Sequence, residues 1–395
     1  MVVLMRIYIL FILGILSGCA GGVDGQPIPQ DQLYYPSVLL KNNNTLYVVN
    51  TNLDLQYSSG SISEIDLVTK KISQKTTIPS LAGQAVASSD FSTLLTTSQH
   101  TSQLLNAFSN TSLSTPQNGP YFLALIPGTT NGLMGYLMLA SNEPWDDNRF
   151  SLAGKPAELE YFAFDPKTGL SIAKSFSLAD CFPPPARPYR RIGRIGGIQI
   201  TKKNAYILAE FFIDDSERAN QFLRHVFLIK SPISDLQKGV LSCTNNANRL
   251  DLSLTEKAQA ARGLQISADE TKAYIILDEN PLLLTVDLTQ NSIINRVETC
   301  KSPTTLKLSP DSQTLAISCS KANQLVAYNA TDLAWFGKYN GGNGPLDILF
   351  DPDKAGQIFV SYQQDNQIGI FKYENQASYF PKRSLDFVQW LQLSR

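Results

Sequence analysis

The amino-acid sequence predicts an all-β chain closed into a seven-bladed β-propeller, with eight blades as the alternative count. Three observations carry that reading. A turn motif at Ser309-Pro310-Asp311 recurs at Asp351-Pro352-Asp353 and at Ser267-Ala268-Asp269, so that Asp269, Asp311 and Asp353 stand 42 residues apart. Around each turn lie short strand-like runs, as in Leu315-Ala316-Ile317-Ser318 with Leu325-Val326-Ala327-Tyr328, and Ile358-Phe359-Val360-Ser361 with Ile368-Gly369-Ile370-Phe371. A fixed period of this length in such sequence is the mark of a propeller blade. Polar turns also divide the chain into about four short strands per period, and closing them into a ring leaves no exposed sheet edge.

The chain begins with a segment of different character. Arg6 supplies a minimal basic region, and Ile7 to Leu16 is an apolar run of ten residues. A bilayer needs about 20, so the run is too short to span one and reads as a targeting signal. It ends in Leu16-Ser17-Gly18-Cys19, which resembles the lipobox of bacterial lipoproteins. That resemblance implies a signal peptide over residues 1–18, a lipid on Cys19, and a membrane anchor without a spanning helix. An ordinary cleaved signal with an incidental cysteine is the alternative. Ala20 follows the cysteine in place of Asp, which by the convention of that family points to the outer membrane, facing either the periplasm or the cell surface. Residues 19–33 read as a flexible tether of Gly, Pro, Gln and Asp, and residues 34–395 as the propeller.

Blade one holds Val38-Leu39-Leu40, Leu46-Tyr47-Val48-Val49-Asn50, the alternating Ser61 to Leu67, and a fourth strand near Ile72 to Ile78. Blade two holds Ala85 to Asp90, Thr93 to Thr96 and Leu104 to Phe108. Blade three opens at Tyr121 to Leu125 and Tyr136 to Ala140, is interrupted by an insertion containing Trp145, Asp146 and Asp147, and resumes at Leu159 to Phe164 before the Asp165-to-Gly169 turn. A proline-rich basic loop follows, from Cys181 to Arg194. Blade four starts at Gly197 and carries its own insertion from Asp214 to Arg218. The connection from Asn245 is expected to be partly helical around Thr255 to Ala261. Blades five to seven keep the period, and the tail from Lys382 supplies an outer strand or a cap.

Composition bounds the chemistry. Hydrophobic residues make up 43% and charged residues 17% of the chain, the latter below the roughly 25% of soluble domains. The net charge of −1 gives no case for nucleic acid. Four cysteines follow Cys19, and in an oxidising compartment an even number points to disulfides. Cys300 precedes the first strand of its blade and Cys319 ends the second, which puts both on one rim. The expected pairs are therefore Cys300–Cys319 and Cys181–Cys243, with four buried free thiols as the alternative. No close cysteine pair exists, and His100 and His225 are far apart in sequence, so no metal and no cofactor are expected.

The repeat with its Ser-Pro-Asp turn, its Leu46-Tyr47-Val48-Val49-Asn50 strand and its Asn323-to-Tyr328 strand is similar to the YVTN-type propeller repeat, a WD40-like architecture. Pro fixes φ in the turn, Asp bonds the turn backbone, and β-branched residues fill the blade. Where that family has glycine after Asp, this chain has Ser312, Glu270 and Lys354. The resemblance covers residues 36 to about 373 and implies an exported, often ligand- or protein-binding, propeller. It transfers no catalytic residues, because the motif is structural.

No nucleophile-elbow pattern is present, and the Ile192-to-Gly197 run leads into strands, unlike a dinucleotide fingerprint. The acid pairs Asp146-Asp147 and Asp214-Asp215 lack calcium-loop spacing. The most localised charge is Arg187, Arg190, Arg191 and Arg194 beside Tyr189, a candidate contact for an acidic partner or lipid head groups. Trp145 is a candidate aromatic contact. The expectation is a monomeric, lipid-anchored envelope protein that binds a protein or small ligand and is not an enzyme. The working surface is expected on one face, where the insertions of blades three and four gather. The alternatives are a lactonase-like or quinoprotein-like enzyme and an assembly partner for outer-membrane proteins.

Overall fold

The computed structural model describes residues 25–115, 119–136, 159–165, 167–181, 191–214, 222–253, 260–278, 281–376 and 382–393. Blade one comprises β1 (Pro36–Asn42), β2 (Thr45–Asn50), β3 (Gly60–Asp66) and β4 (Lys71–Ile78). Blade two comprises β5 (Ala82–Ala87), β6 (Leu94–Ser98), β7 (Gln103–Asn106) and β8 (Thr111–Ser114). Blade three comprises β9 (Pro120–Leu125), β10 (Gly132–Tyr136), β11 (Leu159–Asp165) and β12 (Gly169–Phe176). Blade four comprises β13 (Arg191–Ile200), β14 (Asn204–Asp214), β15 (Phe222–Pro232) and β16 (Arg249–Asp251). Blade five comprises β17 (Ala260–Ile266), β18 (Lys272–Asp278), β19 (Leu282–Asp287) and β20 (Ser292–Glu298). Blade six comprises β21 (Pro303–Leu308), β22 (Thr314–Cys319), β23 (Gln324–Asn329) and β24 (Trp335–Asn340). Blade seven comprises β25 (Pro345–Phe350), β26 (Gln357–Tyr362), β27 (Gln367–Gln376) and β28 (Lys382–Trp390). Each set pairs in chain order as an antiparallel meander, giving seven four-stranded sheets among the described residues.

The eight-blade count falls away. The span from Pro144 to Ser177 supplies β11 and β12 to blade three, and the span from Asp235 to Ala261 supplies most of one short helix, β16 and the start of β17. Of the segment expected to be partly helical, Thr255 to Ala261, residues 254–259 lie outside the described residues, and Ala260 and Ala261 are strand. The helical turn is α1 (Ile233–Lys238), entered from Pro232 and stopped by Gly239 at φ 86°. Proline before and glycine after a helix is the usual asymmetry.

Seven apolar clusters hold the ring, one at each blade junction. Val49 and Ile62 of blade one pack with Ala82 and Leu94 of blade two. Tyr274 and Ile276 of blade five pack with Leu315 and Ile317 of blade six. Second strands serve two junctions at once. Ile358 and Val360 face blade six, and Phe359 between them faces blade one. Period-two alternation with both faces buried explains why these strands read as unbroken apolar runs. Gly196 is required where the innermost strands converge, since a Cβ there would lie 2.4 Å from the Ala261 Cβ.

Among the described residues the ring closes by side-chain contacts, because no strand from one end of the chain joins the blade at the other. Across the seam, Lys41 Nζ lies 2.7 Å from the buried Asp351 and also meets Asp353. The Leu39 N–H donates to Asp347 Oδ2 at 2.9 Å, and Leu33 and Leu391 share one cluster.

The recurrent turn is built as its sequence suggests. Ser309 Oγ donates to Asp311 and accepts the Thr314 N–H at 2.9 Å, while the Gln313 N–H donates to Asp311 at 3.1 Å. Ser267 and Asp269, and Ser88 and Asp90, repeat this arrangement. The glycine-position residues Ser312 and Glu270 adopt φ of 58° and 56°. In blade seven the left-handed residue is Gly356, at φ 77°, and not Lys354.

Residues expected to belong to the tether are partly seated on blade one. The backbone of Gln26 pairs with that of Tyr57. Lys75 Nζ donates to the carbonyls of Pro29 and Gln32 and sits 5.4 Å over the Tyr34 ring.

Candidate functional site

First strands all begin on one face of the ring, which we call the upper face. Antiparallel order then puts the ends of second strands and the starts of third strands on that face too. The described ends flanking residues 137–158, 182–190 and 215–221 therefore share the upper face, as the expected grouping of the insertions requires.

Both disulfides form as expected, Cys181–Cys243 and Cys300–Cys319. They place the chain in an oxidising compartment outside the cytoplasm. No helix among the described residues is long and apolar enough to cross a membrane. Cys19, Trp145, Asp146, Asp147, Arg187, Tyr189, Arg190 and Asp215 lie outside the described residues.

The arginine cluster does not form one loop. Arg191 and Arg194 belong to β13, opposite Phe212 and Glu210 of β14. Strand pairing extends six residues upstream of Gly197, where blade four was expected to begin, because β14 and β15 form an 11-residue hairpin against it. Two register shifts in β13, between Ile192 and Arg194 and between Ile195 and Gly197, accommodate the glycines. Asp214 ends β14 opposite Phe222. His100 is exposed in a turn. His225 lies on β15 with Nδ1 3.3 Å from Asp251 Oδ2. Burial pushes Asp251 up, but hydrogen bonds from His225 and Ser253 outweigh it and hold the carboxyl below its usual range.

The ring encloses a central channel of about 820 Å³, lined by the first strands of all seven blades. At its upper end are Gln99, Asp278, Lys321 and Gln363, and Tyr121 of β9 stands in the lining. Asp347 of blade seven and Arg262 of blade five both act on the Tyr121 phenol across the channel. Burial is the main cause of its raised pKa, Asp347 adds to it, and Arg262 opposes it. The phenol therefore stays protonated.

Two ion pairs flank it. Arg262 holds Asp278 Oδ2 through Nε and Nη2 at 3.3 and 3.2 Å, and Lys307 Nζ lies 3.3 Å from Asp347 Oδ1. In both pairs the cation is the exposed member, with side chains 36% exposed for Arg262 against 20% for Asp278, and 37% for Lys307 against 9% for Asp347.

Side-chain oxygens in the lining also stitch neighbouring blades. Gln84 Oε1 accepts the Leu123 N–H at 3.1 Å, Gln199 Oε1 accepts the Ile266 N–H at 2.7 Å, and Asp347 accepts that of Leu39. Each amide is thereby fixed with its Nε2 remaining as a donor.

None of these channel residues was singled out by the sequence. The available signal was a polar residue inside an otherwise apolar first strand, as Asp347 between Leu346 and Ile348. Among the described residues, no three His, Cys, Asp or Glu side chains gather to hold a metal.

A second polar group lies at the foot of the third-blade insertion. Glu160 on β11 is fully buried, and burial pushes its carboxyl up to about 7. Tyr136 pulls it the other way without reaching standard hydrogen-bond geometry on either oxygen.

No family model matches the chain, and no curated protein matches it. Solved structures do. A chain of Kuenenia stuttgartiensis hydrazine synthase is similar with a TM-score of 0.57 at 9% identity, over 89% of this chain and 99% of that one. A Bacteroides fragilis protein named as a candidate 6-phosphogluconolactonase gives 0.54 at 14% identity, over 91% of this chain and 98% of that one. A Desulfotomaculum acetoxidans protein of unknown function gives 0.55 at 15% identity, over 84% of this chain and 92% of that one. At these identities the likeness establishes the β-propeller fold.

Proposed function

We propose that this chain is a non-catalytic binding module of the bacterial envelope, held to a membrane through a lipid on Cys19 and presenting its upper face to a partner. One observation carries the reading: the channel mouth and the ends flanking all three long insertions of blades three and four share that face. Surfaces enlarged beyond the structural repeat are where a propeller adds recognition to a scaffold. The fold alone does not decide between binding and catalysis, since two of the similar structures carry enzyme names and the third has no known function.

The seated N-terminal segment supports the same orientation. Gly25 lies against the backbone of Tyr57, in the connection from β2 to β3 on the upper face. Six Cα steps separate it from Cys19. At 3.3–3.6 Å per residue they reach about 20 Å at most. A strand of the length of β1 alone rises about 23 Å. An anchor at Cys19 therefore brings the upper rim of blade one to the bilayer and keeps the lower face away from it. The partner is accordingly sought at the membrane.

Two measurements test this. Mass spectrometry of the N-terminal peptide should find an acylated Cys19, and Cys19→Ser should move the protein to the soluble fraction. Cross-linking in native envelopes should capture a partner that disappears when residues 182–190 are deleted. An unchanged set of partners in the deletion removes that loop as the contact.

A further inference from the structure

The charge in the channel lining is uneven. Its acids are spent: Asp347 accepts from Lys307 and from the Leu39 N–H, and Asp278 accepts two bonds from Arg262. Its amide oxygens at Gln84 and Gln199 are spent on backbone N–H groups. Beyond these bonds the same side chains keep donors: Nη1 of Arg262, the remaining N–H groups of the Lys307 ammonium and the Nε2 groups of the two glutamines, and Tyr121 stands in the same lining. Lys321 adds an exposed ammonium at the upper end. The lining counts three cations against two acids, Arg262, Lys307 and Lys321 against Asp278 and Asp347.

We propose that the channel is a binding site for a small organic anion, a carboxylate or a phosphate ester, held by Arg262, Lys307 and Lys321 with Tyr121 and the fixed amides as neutral donors. The inference rests on the binding reading above and supplies a ligand class, but it needs neither the lipid anchor nor the membrane partner. A guanidinium whose Nη1 edge is uncommitted offers two donors to one oxyanion. A partly enclosed site strengthens that attraction relative to water. The volume of about 820 Å³ lies in the range of small-ligand pockets. Each acid holds its cation while being the less exposed member of the pair, so the exposed surface of the pair is mainly that of the cation.

The test is calorimetric titration of the full chain in low-chloride buffer with succinate, glycerol 3-phosphate and glycerol. Succinate or glycerol 3-phosphate should bind at sub-millimolar concentration and glycerol should not. The stronger of the two anions identifies the carboxylate or the phosphate as the preferred group. Lys321→Ala removes an exposed side chain and should weaken binding about two- to fivefold, as expected for one screened charge. Arg262→Gln should weaken it at least tenfold, and Arg262→Lys should retain part of the affinity. Thermal melts of each variant separate loss of fold from loss of site. No heat with either anion overturns the proposal, as does unchanged affinity in an Arg262→Gln protein that melts like the parent. Neither outcome bears on the envelope cross-linking, which reads the loop and not the channel.

Discussion

Lys41 and Asp351 meet at 2.7 Å across the one junction where the first and last blades touch, and both side chains are almost wholly buried, at 5% and 4% exposure. Burial pulls the Lys41 ammonium down, but its bonds to Asp351 and Asp353 prevail and hold it above its usual value. Replacing the lysine leaves Asp351 buried without its cation. Loss of one partner of a buried pair costs about 3–5 kcal/mol. Lys41→Met should lower the denaturant midpoint accordingly. The double variant Lys41→Met/Asp351→Leu should recover most of the loss, measured by chemical unfolding. With Asp351→Leu measured alone as well, a double-variant loss equal to the sum of the two single losses would show that the pair contributes no coupling.

Ser312 and Glu270 occupy equivalent turn positions at φ 58° and 56°, yet they should respond oppositely to glycine. A left-handed conformation costs an L-residue about 1–2 kcal/mol, part of which glycine returns as unfolded-state entropy. Ser312 has little to lose, its hydroxyl accepting only a long 3.5 Å contact from the Ala268 N–H. Ser312→Gly should stabilise by about 0.5 kcal/mol. Glu270 Oε2 accepts from Asn204 at 3.0 Å and from the Tyr206 hydroxyl at 3.3 Å. Glu270→Gly breaks that link between blades four and five and should destabilise by about 1 kcal/mol. Thermal melts of the two variants should move in opposite directions.

The two disulfides close loops of different length, 62 residues apart for Cys181–Cys243 and 19 for Cys300–Cys319. Loop-closure entropy assigns them about 4 and about 3 kcal/mol respectively. Cys181→Ser/Cys243→Ser should therefore lower the melting temperature more than Cys300→Ser/Cys319→Ser. The reverse order, in paired variants scanned under identical conditions, would mean that native-state packing at the sixth blade outweighs the chain-entropy term.

Glu160 gives the stability a pH dependence of unusual sign. Its carboxyl is raised from 4.5 to about 7 in the fold. Between those values the native state holds a proton that the unfolded chain has released, so stability falls as pH rises through that window and levels off above it. With solvent screening allowed for, the loss is roughly 2 kcal/mol. Glu160→Gln should match the parent near pH 4 and exceed it near pH 8 in urea titrations. A parent-minus-variant difference that stays flat across pH would place the ionisation elsewhere.

The ring was legible because its rules are periodic. The 42-residue spacing and the alternation in Ile358-Phe359-Val360 follow from packing every blade between two neighbours, and that demand repeats seven times. The disulfide pairing was legible for the same reason, since antiparallel order decides which strand ends share a rim. The channel was not. Arg262 and Tyr121 belong to different blades with more than a hundred residues between them, and only ring closure brings their charges into range of each other. The basic loop misled in a local way. Arg191 and Arg194 look like loop residues beside prolines, but the long β14–β15 hairpin offers them a strand to pair with.

The junction between first and last blades has a further meaning for how such a chain can be inherited. Leu33 and Leu391 share one apolar cluster, and among the described residues each blade takes its four strands from one contiguous stretch of the chain. The ring thus has no privileged starting point. Joining its ends by a short peptide and opening it between β8 and β9 leaves every sheet whole, and a duplicated or lost 42-residue segment is a whole blade gained or removed. The same modularity lets one blade pair accept long insertions while the other five keep their register.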